Sequence, residues 1–113
     1  MEIRLSEIIG YKNPYYISSN GQFFSYINNK LKLLNGGKDK DGYNLAYMSK
    51  KDGKRVKRRI ARLVGFHFCE VPYEAIENPE DYEADHIDRD IDNDDFTNIQ
   101  IITKEKNLSR RQW

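Results

Sequence analysis

The chain has 113 residues, of which 38% are hydrophobic and 33% charged, a length and composition that favour one domain with a small core. No apolar run approaches the roughly 20 residues that a membrane-spanning helix needs, and the first residues lack the layout of a signal peptide. We therefore expect an intracellular protein without a membrane partner. Cys69 is the only cysteine, which excludes an internal disulfide and a structural zinc site built on paired cysteines, and we expect its thiol to be buried among apolar side chains.

The net charge of +1 hides an uneven distribution of charge along the chain. Residues 30–62 hold twelve basic residues and three acids, a net charge of +9, whereas residues 70–95 hold twelve acids and one arginine, a net charge of −11. A basic segment suits a polyanion, but carboxylates beside it would repel that polyanion. The pattern therefore favours a polyanionic partner, provided that a cation offsets the charge of the acids or that the acids are oriented away from the partner.

The first half of the chain predicts short antiparallel strands. Asn20-Gly21 lies between the aromatic-rich runs 15–19 and 22–26 and predicts a β-hairpin in which both turn residues have positive φ. Further strands are predicted at 31–34, 43–48 and 55–58, with turns at 28–29, 35–37 and 51–54. We interpret residues 1–58 as one small twisted antiparallel sheet whose outer face and loops carry lysine and arginine.

The apolar period changes to that of a helix at about Arg59. The residues at helical spacing are Ile60, Leu63, Val64 and Phe68. We expect Pro72 to end this helix and residues 72–82 to form an acidic loop. His67, near the end of the helix, has no acid or cysteine at ligand spacing, so we expect a packed or capping residue.

Residues 84–87 and 98–102 predict two strands joined by a long polar turn, and residues 104–111 predict a helix with Thr103 as its N-cap. This ββα order makes the chain α+β and places residues 59–113 in one segment. Asp85 and His86 lie on one strand, Asn98 on its partner and Asn107 on the helix. Four polar residues from three elements can therefore converge.

Asp85, His86 and Asn107 have the chemistry that hydrolysis of a phosphodiester needs. An imidazole can accept a proton from water near neutral pH, and carboxylate and amide oxygens are ligands that Mg²⁺ accepts. Neighbouring residues of a regular strand point to opposite faces, so Asp85 and His86 can reach one phosphate only where the strand is irregular or from two sides.

The acids between these strands have a simpler interpretation. Asp88, Asp90, Asp92, Asp94 and Asp95 are expected to be solvated turn residues. A calcium-binding EF-hand loop is the alternative, but counts that start at Asp88 or at Asp90 place an isoleucine, Ile99 or Ile101, where the bidentate glutamate is needed. The sequence therefore argues against a calcium loop.

At these residues the chain resembles the HNH (ββα-metal, or His-Me finger) endonuclease family, in its phage and intron-encoded homing-endonuclease form. The matching residues are Asp85-His86-Ile87-Asp88, Asn93, Thr97-Asn98-Ile99, the stretch from Thr103 to Asn107, the helix at 60–68, Gly10-Tyr11, Asn20-Gly21, Phe24-Ser25 and Asp41-Gly42-Tyr43. The resemblance covers nearly the whole chain. Two positions depart from the family pattern: Ala61 stands where histidine is common, and Arg89 stands where glycine is usual.

The resemblance implies a metal-dependent endonuclease that cuts double-stranded DNA in the cytoplasm of a phage-carrying or phage-infected bacterial host. It implies His86 as the general base, Asp85 and Asn107 as ligands of one divalent cation, Mg²⁺ or Mn²⁺, and Asn98 as the residue that braces the loop and the histidine by hydrogen bonds. One site per monomer implies one nick per encounter. The alternative function is a non-catalytic nucleic-acid-binding or phage accessory module that retains the fold.

Basic residues of the sheet and its surroundings are the expected DNA contacts in this interpretation. They are Lys54, Arg55, Lys57, Arg58, Arg59, Arg62 and Arg89. Phosphate contacts of this kind supply affinity and are weakened by salt.

Overall fold

The N-terminal part of the chain forms a four-stranded antiparallel sheet. The structure, a computed structural model, describes the backbone of residues 2–111 and the side chains of residues 2–108. The strands pair in the order β1-β2-β3-β4 and span Leu5–Ile8, Tyr15–Ser18, Phe23–Ile27 and Lys30–Leu34. The predicted strands of this region are confirmed, and β1 is an additional strand. Met1, Gln112 and Trp113, which the two predicted segments include, lie outside the described residues.

The connections β2–β3 and β3–β4 of this sheet turn in different ways. Gly21 has a φ of +89°, whereas Asn20 is not among the residues with positive φ, so the expectation of a turn with two such residues is wrong there. The loop from Ser18 to Phe23 is wide enough that a single left-handed residue closes it, with the Gly21 amide donating to the Ser18 carbonyl over 3.0 Å. Asn28 and Asn29, with φ of 54° and 59°, form the turn with two left-handed residues.

A second, three-stranded sheet follows, so the prediction of one sheet is wrong. Its strands β5 (Gly37–Lys38), β6 (Asn44–Ser49) and β7 (Arg55–Arg59) are antiparallel in that order. The chain leaves the first sheet at Gly36, where a Cβ atom would lie 1.7 Å from the Leu45 carbonyl oxygen. This close backbone approach, which glycine alone permits, turns the predicted 35–37 turn into the entry to a new sheet.

Helix α1 (Ile60–Phe68) confirms the predicted change of period, but it ends four residues before Pro72. Its last helical bond joins the Cys69 amide to the Gly65 carbonyl. Pro72 instead precedes a second short helix, α2 (Tyr73–Glu77), and a 3-10 turn covers Pro79–Asp81. The prediction of an acidic loop at 72–82 is therefore wrong, because this segment folds to bury Ala75 while its acids stay exposed.

The last elements are β8 (Tyr82–His86), β9 (Ile99–Thr103) and α3 (Lys104–Arg111). The two strands pair antiparallel, with His86 opposite Ile99. Thr103 caps α3, since its hydroxyl accepts a hydrogen bond from the Lys106 amide over 3.1 Å. The predicted strand, turn, strand and helix are confirmed, with β8 beginning and ending slightly earlier than expected.

The core joins residues of both predicted segments. Ile17 and Met48 from the two sheets pack in one cluster with Val64 of α1 and Ile99 of β9. Gly65 lets α1 lie close on β9, because a Cβ there would be 2.5 Å from Ile101 Cδ1. The division at residues 58 and 59 stays a prediction.

His67 is the packed residue that was expected, whereas the Cys69 thiol, expected to be buried among apolar side chains, is only partly buried. His67 Nδ1 is 2.7 Å from Ser6 Oγ, and burial lowers the pKa of the imidazole. The Cys69 thiol is partly buried, and its Sγ lies 3.3 Å from the Phe96 and Ile99 carbonyl oxygens, which share its one S–H donor. Burial, with a smaller contribution from Asp95, raises the pKa of the thiol. In the described part of the chain no helix has the length and apolar composition required to cross a membrane.

Candidate active site

Three of the four predicted site residues line one cavity of about 210 Å³. The lining residues are Tyr43, Ala84, Asp85, His86, Arg89, Ile91 and Asn107. Asp85 and His86 are neighbours on a strand, yet both reach this cavity because His86 is the last residue of β8. The chain turns immediately after it, and the Arg89 amide donates to the His86 carbonyl over 3.0 Å. β8 keeps a regular register up to His86, so it is the end of the strand at this residue that lets both side chains reach one cavity.

Asn98 does not line the cavity and instead fixes the loop between β8 and β9. Its side-chain oxygen accepts from the Asp88 amide over 3.0 Å, and its Nδ2 donates to Asp88 Oδ1 and to the Asn93 carbonyl over 2.8 and 2.9 Å. The pKa of Asp88 lies below its ordinary value, mainly because its carboxylate accepts a hydrogen bond from the Asp90 amide and to a smaller extent because it accepts one from the Asn98 side chain. These contacts fit the bracing role implied for Asn98, but none of its hydrogen bonds among the described residues reaches the His86 ring.

Asp94 makes the contact with the histidine instead. His86 Nε2 and Asp94 Oδ1 are 2.7 Å apart, and the two side chains are only 3% and 5% exposed. Asn44 of β6 donates from Nδ2 to the other Asp94 oxygen over 2.9 Å. The prediction that Asp94 is a solvated turn residue is therefore wrong, because the loop folds inward at this residue. Sequence spacing gave no sign of it, since Asn44 is fifty residues away.

The other acids of the loop agree better with the prediction. Asp88 and Asp90 are exposed, and each accepts a hydrogen bond from the backbone amide two residues later, over 2.8 and 3.0 Å. Asp92 is also exposed and forms an ion pair of 2.5 Å with Lys38 of β5. Three acids thus stabilise the turn or tie it to the second sheet, as side chains of this type commonly do.

Asn107 is almost fully buried, with 1% of its surface exposed. Its Nδ2 donates to Glu83 Oε2 over 2.5 Å. A carboxylate can only accept, so this bond fixes the orientation of the amide, and none of the hydrogen bonds of the described residues uses Oδ1. The alternation along β8, which places Glu83 and Asp85 on one face, was the sequence signal that could have identified Glu83.

Asp85 and Asn107 therefore offer two hard oxygen ligands to the same cavity. Asp85 is held by Gln100, whose Nε2 donates to Oδ2 over 2.8 Å, while the unused Oδ1 of Asn107 is a buried acceptor that needs a partner. No group of three or more histidine, cysteine or acidic side chains able to hold a metal is found among residues 2–108. Two protein oxygens still fit Mg²⁺, which keeps several waters and binds through one or two carboxylates together with substrate phosphate.

Tyr43 and Arg89 complete the cavity. The Tyr43 ring lies 5.9 Å from the His86 ring at an angle of 34°. Arg89 has a φ of 67°, a left-handed conformation that glycine adopts at lower cost. The arginine found in place of the usual glycine thus keeps the glycine-like backbone and adds a cation to the cavity.

The basic residues predicted to contact DNA divide into two groups. Arg59 bonds Asp39 over 2.9 Å and lies 3.9 Å over the Tyr43 ring, and Arg62 donates to the Tyr82 and Pro79 carbonyls over 2.7 Å. The exposed residues of the set lie at β7 and in the loops. They are Lys54, Arg55, Lys57, Arg58 and Arg89.

Comparison with solved structures identifies a similar protein. Over 99% of its length the chain matches a structure described as "DNA binding and cleavage by the HNH homing endonuclease I-HmuI", with a TM-score of 0.75 and 32% sequence identity. The chain spans 58% of the length of that protein. No family model and no curated protein matches. The resemblance to an HNH homing endonuclease that the sequence indicated is therefore confirmed.

The close contact between the first sheet and Asp94 can be tested with two alanine substitutions. Gly21 and Gly53 have φ of +89° and +86°, so an alanine at either position would be strained by about 1–2 kcal/mol. An added Cβ would lie 2.7 Å from Asp94 Cβ at Gly21 but meets nothing within 4 Å at Gly53. In urea denaturation we expect Gly21→Ala to lose about 1–3 kcal/mol more stability than Gly53→Ala, because Asp94 must move. Equal losses would contradict the contact.

Proposed function

We propose that this chain, which is similar to an HNH homing endonuclease, is a metal-dependent endonuclease that nicks double-stranded DNA. The observation that supports the proposal most strongly is the convergence of Asp85, His86 and Asn107 on one cavity. In the proposal β8, β9 and α3 are the ββα-metal motif, and Asn98 stabilises the loop that carries the catalytic strand end.

Asp85 and Asn107 are the proposed ligands of one Mg²⁺ or Mn²⁺. Glu83 turns the Asn107 amide so that its oxygen can serve as a ligand, and Gln100 holds the Asp85 carboxylate. When bound, a divalent cation supplies stabilisation of the negative charge that develops on the phosphate and on the leaving oxygen. This arrangement also offsets the negative charge of the loop where DNA approaches.

His86 is the proposed general base. Its ring removes a proton from a water molecule whose oxygen attacks the phosphorus. One P–O ester bond breaks, the leaving oxygen takes a proton from solvent water, and a phosphate and a hydroxyl end result. Proton removal of this kind contributes about 10²–10⁴-fold to a rate. Burial of the ring, at 3% exposure, limits its motion and so keeps the accepting nitrogen in one place.

The second sheet is the proposed grip on the DNA backbone. Alternation along β7 places Val56 opposite the buried Met48 and puts Arg55 and Lys57 on the other face, around Tyr47. Arg55 lies 5.7 Å over the Tyr47 ring, which holds the guanidinium at the surface. Arg59 and Arg62 are engaged in internal bonds, to Asp39 and to the Tyr82 carbonyl, while Arg89 places a cation in the cavity itself.

A plasmid-nicking assay with Mg²⁺ or Mn²⁺ tests the activity. We expect His86→Ala to lower the rate about 100-fold or more, because the base is lost. His67→Ala is the matched control, since this second histidine does not line the cavity, and we expect it to nick at the wild-type rate once its folding is verified by thermal melting. A wild-type protein that shifts the plasmid in a gel but leaves it intact would instead support the non-catalytic binding module.

The grip is tested by the salt dependence of binding. We expect Arg55→Gln with Lys57→Gln to weaken binding to DNA of any sequence and to reduce the slope of log K against log salt by about 2, because two phosphate contacts are lost. Lys30→Gln with Lys32→Gln, on exposed positions of β4, is the control of equal charge. An unchanged slope for the β7 variant would remove this face from the interface.

A further inference from the structure

We propose that Asp94 is a positioning residue for His86, and that Asn44 of the second sheet holds Asp94 in place. The structural part stands on the geometry of these three side chains alone. Its effect on phosphodiester hydrolysis rests on the proposed function, in which the histidine is the general base. The chain of contacts runs from Asn44 Nδ2 to Asp94 over 2.9 Å and from Asp94 to His86 Nε2 over 2.7 Å.

Asp94 determines which nitrogen of the His86 ring carries the hydrogen. A carboxylate has no proton to donate, so the nitrogen that faces it, Nε2, carries the hydrogen. The neutral ring then has its lone pair on Nδ1, and no hydrogen bond of the described residues uses that nitrogen. Asp94 thus selects the tautomer of His86 in which Nδ1 is the proton acceptor.

Asp94 and Tyr43 also restrict the orientation of the His86 ring. Asp94 fixes one edge of the imidazole by a buried hydrogen bond, and the Tyr43 ring lies 5.9 Å from its centre. Loss of the carboxylate would free the ring to rotate. A misplacement of about 1 Å at a reacting group can cost on the order of 100-fold in rate.

Asp94 itself is held in place by its neighbours. Asn44 occupies the second carboxylate oxygen, so both oxygens of this buried group have donors. Gly21 lies so close that a Cβ there would be 2.7 Å from Asp94 Cβ and would displace it, and the Phe96 amide donates to the Ser19 carbonyl over 2.8 Å. Contacts from both sheets therefore hold the segment in which Asp94 stands.

The second sheet connects the proposed DNA contacts with the position of the histidine. Asn44 lies on β6, the central strand of the second sheet, and β6 pairs with β7, which carries the proposed phosphate contacts. The sheet proposed to grip the DNA is therefore also the sheet that sets the orientation of the histidine.

Nitrogen-15 NMR of the histidine rings of the full chain tests this directly. The chain has two histidines, so His67 serves as an internal reference. Above neutral pH and without metal or DNA, we expect wild-type His86 to show the Nε2–H tautomer. Asp94→Ala should shift it towards the Nδ1–H form or a mixture. Asp94→Asn should retain it in part, because its single acceptor oxygen is shared between two donors, His86 Nε2–H and the Asn44 amide. His67 should not change in any variant.

Nicking rates supply the second readout. We expect Asp94→Ala to lower the rate about 10- to 100-fold and Asp94→Asn to recover part of the loss. Asp92→Ala is the matched control, because it removes an acid of the same loop whose carboxylate bonds Lys38 instead of the histidine. We expect this variant to leave the tautomer of His86 unchanged. An Asp94→Ala protein that is only less stable, with wild-type histidine signals, would overturn the proposal. If the wild type does not nick, the proposed function fails, while the NMR result still decides the positioning.

Discussion

The buried hydrogen bond between His86 and Asp94 is the constraint to which the loop between β8 and β9 must conform. Moving a carboxylate out of water costs free energy unless hydrogen-bond donors replace its hydration, and here the histidine ring and the Asn44 amide are those donors. To bring Asp94 inward, the chain must turn sharply after His86. Arg89 accordingly takes a left-handed conformation, and Asn98 stabilises the turn from within by bonds to Asp88 and Asn93.

The same constraint gives the strongly acidic segment a structural meaning. Its charge suggests a metal-binding loop, yet the acids that lie between the strands mostly serve the fold: Asp88 and Asp90 accept from backbone amides, and Asp92 pairs with Lys38. In the proposed function the chemistry belongs to residues of the regular elements β8 and α3. Asp85 and His86 end β8, and Asn107 faces them from α3, each held by a neighbour that restricts its orientation.

The sequence predicted the elements whose signals are local. The hairpin at Asn28-Asn29, helix α1 and the capped helix α3 depend on turn residues, on a period of 3.6 and on a side chain near its own backbone. The division into two sheets depends on contacts far apart in the chain, such as the approach of Gly36 to Leu45, and residues 72–82 fold around the single buried Ala75. No local pattern reports contacts of that kind.

In the candidate site, too, residues with a local signal were predicted and a residue fixed by a distant contact was not. Asp85, His86 and Asn107 were identified from residue type, spacing and resemblance, and the structure brings them to one cavity. Asp94 was misassigned because one more aspartate in a run of aspartates carries no signal of burial. Its role follows from a partner on another sheet, Asn44, and sequence spacing cannot reveal such a pair.

The most direct test of the link between the second sheet and the histidine is a double-mutant cycle on the nicking rate with Asn44→Ala and Asp94→Ala. If Asn44 acts on the histidine only through Asp94, the double variant should nick no more slowly than Asp94→Ala alone, and the coupling free energy should equal the loss caused by Asn44→Ala. Losses that simply multiply, with no coupling between the two sites, would show that the two residues act independently.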